Sequence, residues 1–481
     1  MSEARTTIVW FRNDLRLADH PALQAAIAEG GKVIPVFIWA PEEEGKWPPG
    51  AASRWWLHHS LEALDNQLRE LGSRLILRRG VSALQLGELA RQTKARRVVW
   101  SRRYESAARE RDLKVEQSLA QENIETRTFN GSLLFEPWEI KNRSGNPFRI
   151  FTAFWRTCLQ GPAPQAPILA PRRPVSPKTW PRSLRLAELK LTPSIPWDAG
   201  FAKTWRPGCE AGERALNRFI AGALRDYSKV RNEPAAQGTS RLSPHLHFGE
   251  ISPRQMWLAL QAHAHSKGIS DWRQSQFVAE LGWREFAHHL LFHFPQTPEQ
   301  PLRPEFKKFP WGSDARLLET WQQGRTGYPL VDAGMRELWT TGWMHNRVRM
   351  VVASFLTKNL LSPWQEGARW FWDTLVDADL ANNSLGWQWT AGCGADAAPY
   401  FRVFNPVTQG EKFDPCGAYV RRWIPEIARL PDRFLQRPWE APPSVLSEAG
   451  ITLGRSYPEP VVNLFSSRHA ALDAYARMRA G

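Results

Sequence analysis

Over the first 130 residues, short apolar runs alternate with segments whose apolar positions recur every three or four residues. Residues 6–11 (TTIVWF), 32–39 (KVIPVFIW), 74–79 (RLILRR) and 96–101 (RRVVWS) are short and rich in β-branched and aromatic side chains, which predicts strands. Residues 21–29, 53–71, 83–91 and 107–121 have the period of amphipathic helices. Alternation of this kind predicts a doubly wound, mostly parallel α/β sheet. No GxGxxG motif follows the first strand, so a nicotinamide dinucleotide fingerprint is missing. Phe11 is followed instead by RNDLRLADHPAL.

The pattern changes after residue 130. Prolines at 162, 164, 167, 171, 174, 177 and 181 predict a long linker laid over the surface. From about Trp205 the strand signals stop, and residues 211–224, 252–264, 272–291, 330–339, 345–360 and 366–375 show helical periodicity. A last helix is predicted over 467–479. The expected architecture is an N-terminal α/β domain with a doubly wound parallel sheet (1–130), a linker (131–204) and a large all-α C-terminal domain (205–481).

Composition narrows the class. A chain of 481 residues, 42% of them hydrophobic, can fill two or three cores. Lys and Arg number 63 against 48 Asp and Glu, a net charge of +15 that points to a polyanionic partner, most often nucleic acid. Tryptophan is abundant, 25 residues against 7 Tyr, and offers flat faces for stacking on bases or ring cofactors. Cys158, Cys209, Cys393 and Cys416 form no CxxC pair, so neither a metal site nor a disulfide framework is indicated. A signal-peptide pattern is lacking, and no run of eighteen apolar residues could span a membrane. A reduced, cytoplasmic setting is expected.

Four stretches carry candidate chemistry. Residues 377–389, DADLANNSLGWQW, combine carboxylates, adjacent amides and two tryptophans. Asp, Asn, Ser and Gly are mediocre helix formers, so the stretch suits the wall of a polar, flat ligand, or equally a polar loop. Trp387 and Trp389, two apart, cannot share a helix face. Residues 238–249, GTSRLSPHLHFG, place Gly, Thr and Ser before a helical segment, where free N–H groups can bind phosphate. Glu280, Trp283 and Arg284 fall at i, i+3 and i+4 on one face. In residues 341–350, TGWMHNRVRM, Asn346 and Met350 share a face, Arg347 can reach a phosphate, and Arg349 is directed elsewhere, toward Asp377.

Taken together, WFRNDLRLADHPAL, GTSRLSPHLHFGEISPR, ELGWREF, TGYPLVDAGMR, TGWMHNRVRM, DADLANNSLGWQW and DAAPYFRVFNP resemble the signature blocks of the photolyase/cryptochrome family, in that family's order and across nearly the whole chain. The resemblance implies an N-terminal antenna domain and a helical domain holding FAD. FAD contacts would be Tyr227, Arg231, Thr239, Ser240, Arg241, Leu242, Ser243, Gln276, Arg284, Asn346, Arg349, Asp377, Ala378, Asp379 and Asn383, the last facing the flavin N5. DNA contacts would be Glu280, Trp283, Arg284, Asn346, Arg347, Met350, Trp389 and Gln409. Trp387, Trp364 and Trp311 match the family's electron-transfer triad, and with Glu280 and Asn383 make up the implied catalytic set.

The implied activity is deoxyribodipyrimidine photolyase: reduced FAD, excited by blue light, splits cyclobutane pyrimidine dimers in UV-damaged DNA, the chain acting as a monomer. Met350 and Asn346 stand where relatives repairing the (6-4) photoproduct carry His pairs, which favours the cyclobutane dimer. The alternative is a cryptochrome-like blue-light photoreceptor, against which Asn383 speaks. Ser106, Ala107 and Ala108 after Tyr104 and Glu105 lack the Asn-Glu pair of one folate-binding branch. Residues 50–65, GAASRWWLHHSLEALD, resemble plant cryptochromes and a related bacterial branch, which implies methenyltetrahydrofolate as antenna, with a deazaflavin as the second choice and Glu43 among its contacts.

Overall fold

The computed structural model describes residues 6–171, 173–400 and 402–480. Residue 401 of the DAAPYFRVFNP block lies outside them. The chain divides into two compact units.

The first unit takes the described residues of Met1–Trp197, Trp205–Gly222 and Ser240–Pro295. Its sheet is built from β1 (Thr6–Phe11), β2 (Val33–Trp39), β3 (Ile76–Arg79), β4 (Ala95–Ser101) and β5 (Glu125–Phe129), in the order β3-β2-β1-β4-β5. All four pairings are parallel. Crossovers run through α1 (Pro21–Ala28), α2 (Ala51–Glu70), α3 (Ser82–Thr93) and α4 (Ser106–Gln121). The central strands β1 and β2 are buried along their whole length, because a parallel sheet is covered on both faces. Ile8, Trp10, Val36, Ile76, Val98 and Trp100 meet Leu86, Leu89, Val115 and Leu119 in one core. The fifth strand was not expected from the pattern. ETRTF has no apolar run because it is an edge strand with partly exposed side chains.

The RNDLRLADHPAL segment is a set of buried polar contacts rather than a nucleotide loop. Arg12 reaches Asp112 at 2.7 Å, and His20 reaches Asp14 at 2.9 Å. Asp19 meets Arg254 at 3.0 Å, and Arg16 donates to the carbonyl of Gly249 at 2.8 Å. These bonds tie the end of β1 to the segment around residue 250, within the same unit.

Within the stretch expected to be a linker, helices appear at Leu186–Leu189, at Phe201–Thr204 and, the longest, at α5 (Phe151–Gln160), whose Phe154, Trp155 and Cys158 are buried. The chain after it is pinned by backbone bonds, Val33 N–H to Val175 O at 2.9 Å and Leu184 N–H to Leu77 O at 2.9 Å. The unit is completed by α6 (Cys209–Ala221), α7 (Pro253–Lys267) and α8 (Gln276–His293). The helix expected over 272–291 breaks at Ser275, whose extended backbone and side chain cap α8.

The second unit comprises Asp198–Thr204, Ala223–Thr239 and Gln296–Gly481, of which residues 401 and 481 lie outside the described set. Its main helices are α9 (Ala315–Gln322), α10 (Pro329–Thr341), α11 (Asn346–Ser354), α12 (Trp364–Thr374), α13 (Leu380–Ala391), α14 (Pro406–Phe413), α15 (Ala418–Trp423) and α16 (Leu464–Ala480). The helix expected over 345–360 is α only to Ser354 and continues as a π-helical turn through Phe355–Asn359. The 377–389 stretch, ambiguous in sequence, is helical from Leu380, and Asp379 caps it by accepting from the Asn382 N–H. No helix among the described residues is long and apolar enough to cross a membrane.

Candidate flavin and nucleic-acid sites

In the first unit, α8 carries Glu280, Trp283 and Arg284 on one half-buried face, as their spacing requires. Gln276, one turn earlier, donates its amide to Glu280 at 2.9 Å. The indole of Trp283 is stacked on Phe151, ring centres 3.9 Å apart and planes 10° from parallel. Phe151 lies in the stretch read as linker, so nothing in the sequence marked it. Arg284 donates to the Ser132 carbonyl at 2.7 Å. Beside it Glu285 is buried and accepts from the Leu134 and Phe135 N–H groups at 3.0 and 3.2 Å. Burial pushes its carboxyl up to about 7 against the pull of Arg284.

Ser240 and Leu242 form a tight turn, the Leu242 N–H donating to Ser240 Oγ at 3.4 Å. Between them Arg241 sits at φ +53°, a left-handed conformation uncommon for a residue with a Cβ. Ser243 opens the short helix Ser243–His247. Glu43 is occupied locally: its carboxylate accepts from the Ser82 N–H at 3.2 Å and from the Ser82 hydroxyl, at the first turn of α3.

In the second unit, α11 and the turn before it gather several of the other residues. Thr239 is half-buried, and Tyr227 is buried with the Arg231 guanidinium 5.4 Å from its ring centre. Arg347 donates to Asn232 Oδ1 at 2.8 Å and lies 4.4 Å from the Phe413 ring centre. Phe413 and Gln409 are i+4 partners on α14, so Arg347 is brought to the helix face that carries Gln409. Gln409 Oε1 is buried and makes no hydrogen bond among the described residues. Burial and the neighbouring Arg231 charge lower the pKa of Arg347. Two crowded guanidiniums of this kind favour an anion. Asn346 is exposed and Met350 half-buried, one turn apart on α11.

Arg349 points away from Arg347, as expected. Its Nη2 meets both oxygens of Asp377 at 3.1 and 2.8 Å, and its Nε donates to the Met344 carbonyl at 2.7 Å. Asp377 is buried, its side chain 3% exposed. Ala378 follows, buried, and Asp379 caps α13. On α13 Asn383 donates its amide to the Ala368 carbonyl of α12 at 3.0 Å. Trp387, one turn on, is buried against α12, while Trp389 is half-buried on another face.

The three tryptophans of the implied triad occupy neighbouring elements. Trp387 packs on Gly367, which is i+3 from Trp364, and its ring centre is 5.0 Å from that of Phe371. Residues 364, 367, 368 and 371 are the buried face of α12, so Trp387 and Trp364 border the same seam. Trp311 is half-buried, and the Gly312 N–H next to it donates to Leu361 O at 2.8 Å, three residues before Trp364. A further indole, Trp321 of α9, is fully buried with its ring centre 6.2 Å from Trp387. Sequence spacing gave no sign of that pair.

These donor sets fit FAD. A pyrophosphate needs cations and N–H donors, and in the second unit Arg231 would offer a guanidinium. A flavin edge needs amides and a polarised ion pair, which Asn383 and Arg349 with Asp377 would offer. The Trp387 indole N–H is buried without a hydrogen-bond partner among the described residues, a donor available to a bound group.

Comparison with known proteins is consistent with this chemistry. Residues 277–477 match the model of the FAD binding domain of DNA photolyase, and residues 7–172 match the DNA photolyase model. The chain is 47% identical over 476 residues to the deoxyribodipyrimidine photo-lyase of Agrobacterium fabrum, covering 98% of each. It is 43% identical to cryptochrome-1 of Arabidopsis thaliana, over 98% of this chain and 70% of that one. Among solved structures, a bacterial class III photolyase from Agrobacterium tumefaciens superposes with a TM-score of 0.96 at 46% identity, covering 100% of this chain and 99% of that one. With an FAD-binding domain, a parallel-sheet N-terminal part and a photolyase relative matched over 98% of each chain, this chain belongs to the photolyase/cryptochrome family.

Proposed function

We propose that this chain is a deoxyribodipyrimidine photo-lyase, splitting cyclobutane pyrimidine dimers in UV-damaged DNA with blue light. The observation that carries the reading is the packing of α13 on α12: Asn383 is bonded to Ala368, and one turn later Trp387 packs on Gly367 along the face that begins with Trp364. An amide and an indole relay are thereby held at fixed positions on rigid helices.

When bound and reduced, FAD supplies one-electron donation in the excited state, and that chemistry belongs to the cofactor. The protein's own residues bind, orient and exclude water. Tyr227, Arg231, Thr239, Ser240, Arg241, Leu242, Ser243, Gln276, Arg284, Asn346, Arg349, Asp377, Ala378, Asp379 and Asn383 are the residues assigned to FAD. Asn383 presents a neutral amide to the ring edge and so brings no acidic proton to it. Arg349 is held by Asp377 and the Met344 carbonyl, so its charge is fixed in place. Trp387, Trp364 and Trp311 carry electrons inward from the surface.

Recognition of the lesion is assigned to Glu280, Trp283 and Arg284 on α8, and to Asn346, Arg347, Met350, Trp389 and Gln409 in the second unit. Glu280 accepts a hydrogen bond from a pyrimidine edge. Trp283, already stacked on Phe151, offers a preorganised aromatic wall. Arg347 neutralises a phosphate. Photolyases are among the enzymes known to flip their target base, and a fused dimer that pairs poorly is cheaper to extrude than an intact pair.

Functionally, residues 1–130 are assigned to antenna binding, 131–204 to connection, and 205–481 to FAD and DNA. Methenyltetrahydrofolate is proposed as antenna ahead of a deazaflavin. Glu43 serves it only if the carboxylate can hold both the ligand and Ser82. The four cysteines form no disulfides, which supports action in a reducing compartment such as the cytoplasm.

The deciding experiment measures dimer content in UV-irradiated oligothymidine incubated with the reduced protein. Under blue light the dimers should revert to monomers, and in the dark they should persist. Equal dimer content in light and dark would reject the enzyme in favour of a photoreceptor.

A further inference from the structure

We propose that a pocket at the open edge of the sheet binds a small phosphate-type anion. It lies at the C-terminal end of the edge strand β3 and has a volume of about 300 Å³. Its walls carry Arg78 and Arg79 from the end of β3, Gln85, Glu88 and Gln92 from α3, and Arg182 from the proline-rich stretch.

Charge balance sets this pocket apart from its surroundings. Arg12, Arg103, Arg111 and Arg254 in the same unit each have a carboxylate oxygen at 2.7 to 3.0 Å. Arg78 is just as buried, 9% exposed, yet its nearest carboxylate, Glu88, lies 3.9 Å away with half its side chain in solvent. The firm partner of Arg78 is a neutral amide, Gln92 Oε1 at 2.7 Å, and its Nε is buried with no hydrogen bond among the described residues. Gln92 in turn donates to Glu88 at 2.8 Å, which holds the carboxylate to one side. Three guanidiniums against one carboxylate leave the pocket with an excess of two positive charges.

The third arginine is placed by the fold. The segment before and after it is pinned to β3: Leu77 donates to Ser183 Oγ at 2.9 Å, Leu184 donates to Leu77 O at 2.9 Å, and Arg74 donates to Pro181 O at 3.0 Å. Arg182 is thus anchored on both sides, 103 residues along the chain from Arg79 and facing the same hollow. Glutamines supply neutral hydrogen bonds to the remaining oxygens. Among the described residues no aromatic side chain lines the pocket, so a nucleobase or pterin has nothing there to stack on. The chemistry selects a compact oxyanion such as pyrophosphate or a sugar phosphate, held by charge-assisted and bidentate bonds.

The test is calorimetric titration of the whole protein with inorganic pyrophosphate at low ionic strength, with oligothymidine titrated in parallel. Saturable binding of one equivalent is expected, weakened about tenfold in the double variant Arg79→Gln/Arg182→Gln, whose exposed positions leave folding intact. Arg78→Gln should abolish it. Oligothymidine affinity should be unchanged in the double variant. Absence of saturable heat, or equal pyrophosphate affinity in wild type and double variant, would overturn the proposal. A loss of oligothymidine affinity matching the loss for pyrophosphate would overturn it too, reassigning the arginines to nucleic acid.

Discussion

Trp387 rests on Gly367 so closely that even a methyl group at residue 367 would overlap the indole's six-membered ring. Helix propensity alone favours Ala over Gly by about 1 kcal/mol in a helix interior. Packing opposes it here, since both residues lie in a buried helix–helix seam. Gly367→Ala should therefore destabilise the protein, by about 1–3 kcal/mol as overpacked cores do. Thermal unfolding measures the loss, and a rise in melting temperature would show that the seam yields.

The same indole is the inner member of the proposed relay. Trp387→Phe should stop light-driven reduction of the bound flavin while leaving dimer repair intact in chemically reduced protein. Trp321→Phe is the informative control, because Trp321 also borders Trp387. Photoreduction that survives in the first variant but falls when both are changed would route the electron past Trp387 through α9.

The Arg349–Asp377 pair is a structural prediction as well as a cofactor one. Asp377 is nearly excluded from water, so Asp377→Asn leaves the guanidinium without its counter-charge, a loss of about 3 kcal/mol. Flavin retained per protein after gel filtration should drop with it. Full retention and unchanged stability would remove Arg349 and Asp377 from the site.

Glu285 makes stability depend on pH. Its folded pKa of about 7 lies above the ordinary 4.5, so between these values the folded state holds more protons than the unfolded one. Stability should fall as pH rises through that window, with the penalty complete above pH 7. Glu285→Gln keeps an acceptor for the Leu134 and Phe135 N–H groups without the charge, and should flatten that part of the profile. An unchanged slope in denaturant midpoints from pH 5 to 8 would assign the dependence to another group.

Arg347 tests the nucleic-acid assignment. Affinity for damaged DNA should fall steeply with salt because phosphate contacts release counterions. Arg347→Ala should reduce the slope of log K against log salt by about one. A loss of affinity with the full slope retained would mean that Arg347 acts on something other than a phosphate.

Much of this molecule was readable from the order of its residues. Four of the five strands, the helical remainder and the one-sided placement of Glu280, Trp283 and Arg284 follow from local periodicity, which short-range sterics fix. That Arg349 faces away from Arg347 was readable too, because residues two apart on a helix point to different sides. The edge strand Glu125–Phe129 was not, since exposure on one side removes the apolar run that marks a strand. Nor was the helical state of Leu380–Ala391, where weak helix formers are overruled by the Asp379 cap and by packing on α12. The stacking of Trp283 on Phe151, the bond from Arg347 to Asn232, the contact of Trp387 with Trp321 and the meeting of Arg78 with Arg182 were decided by tertiary structure alone. Each joins residues tens to more than a hundred positions apart, and no local pattern encodes which distant side chain will fill a given gap.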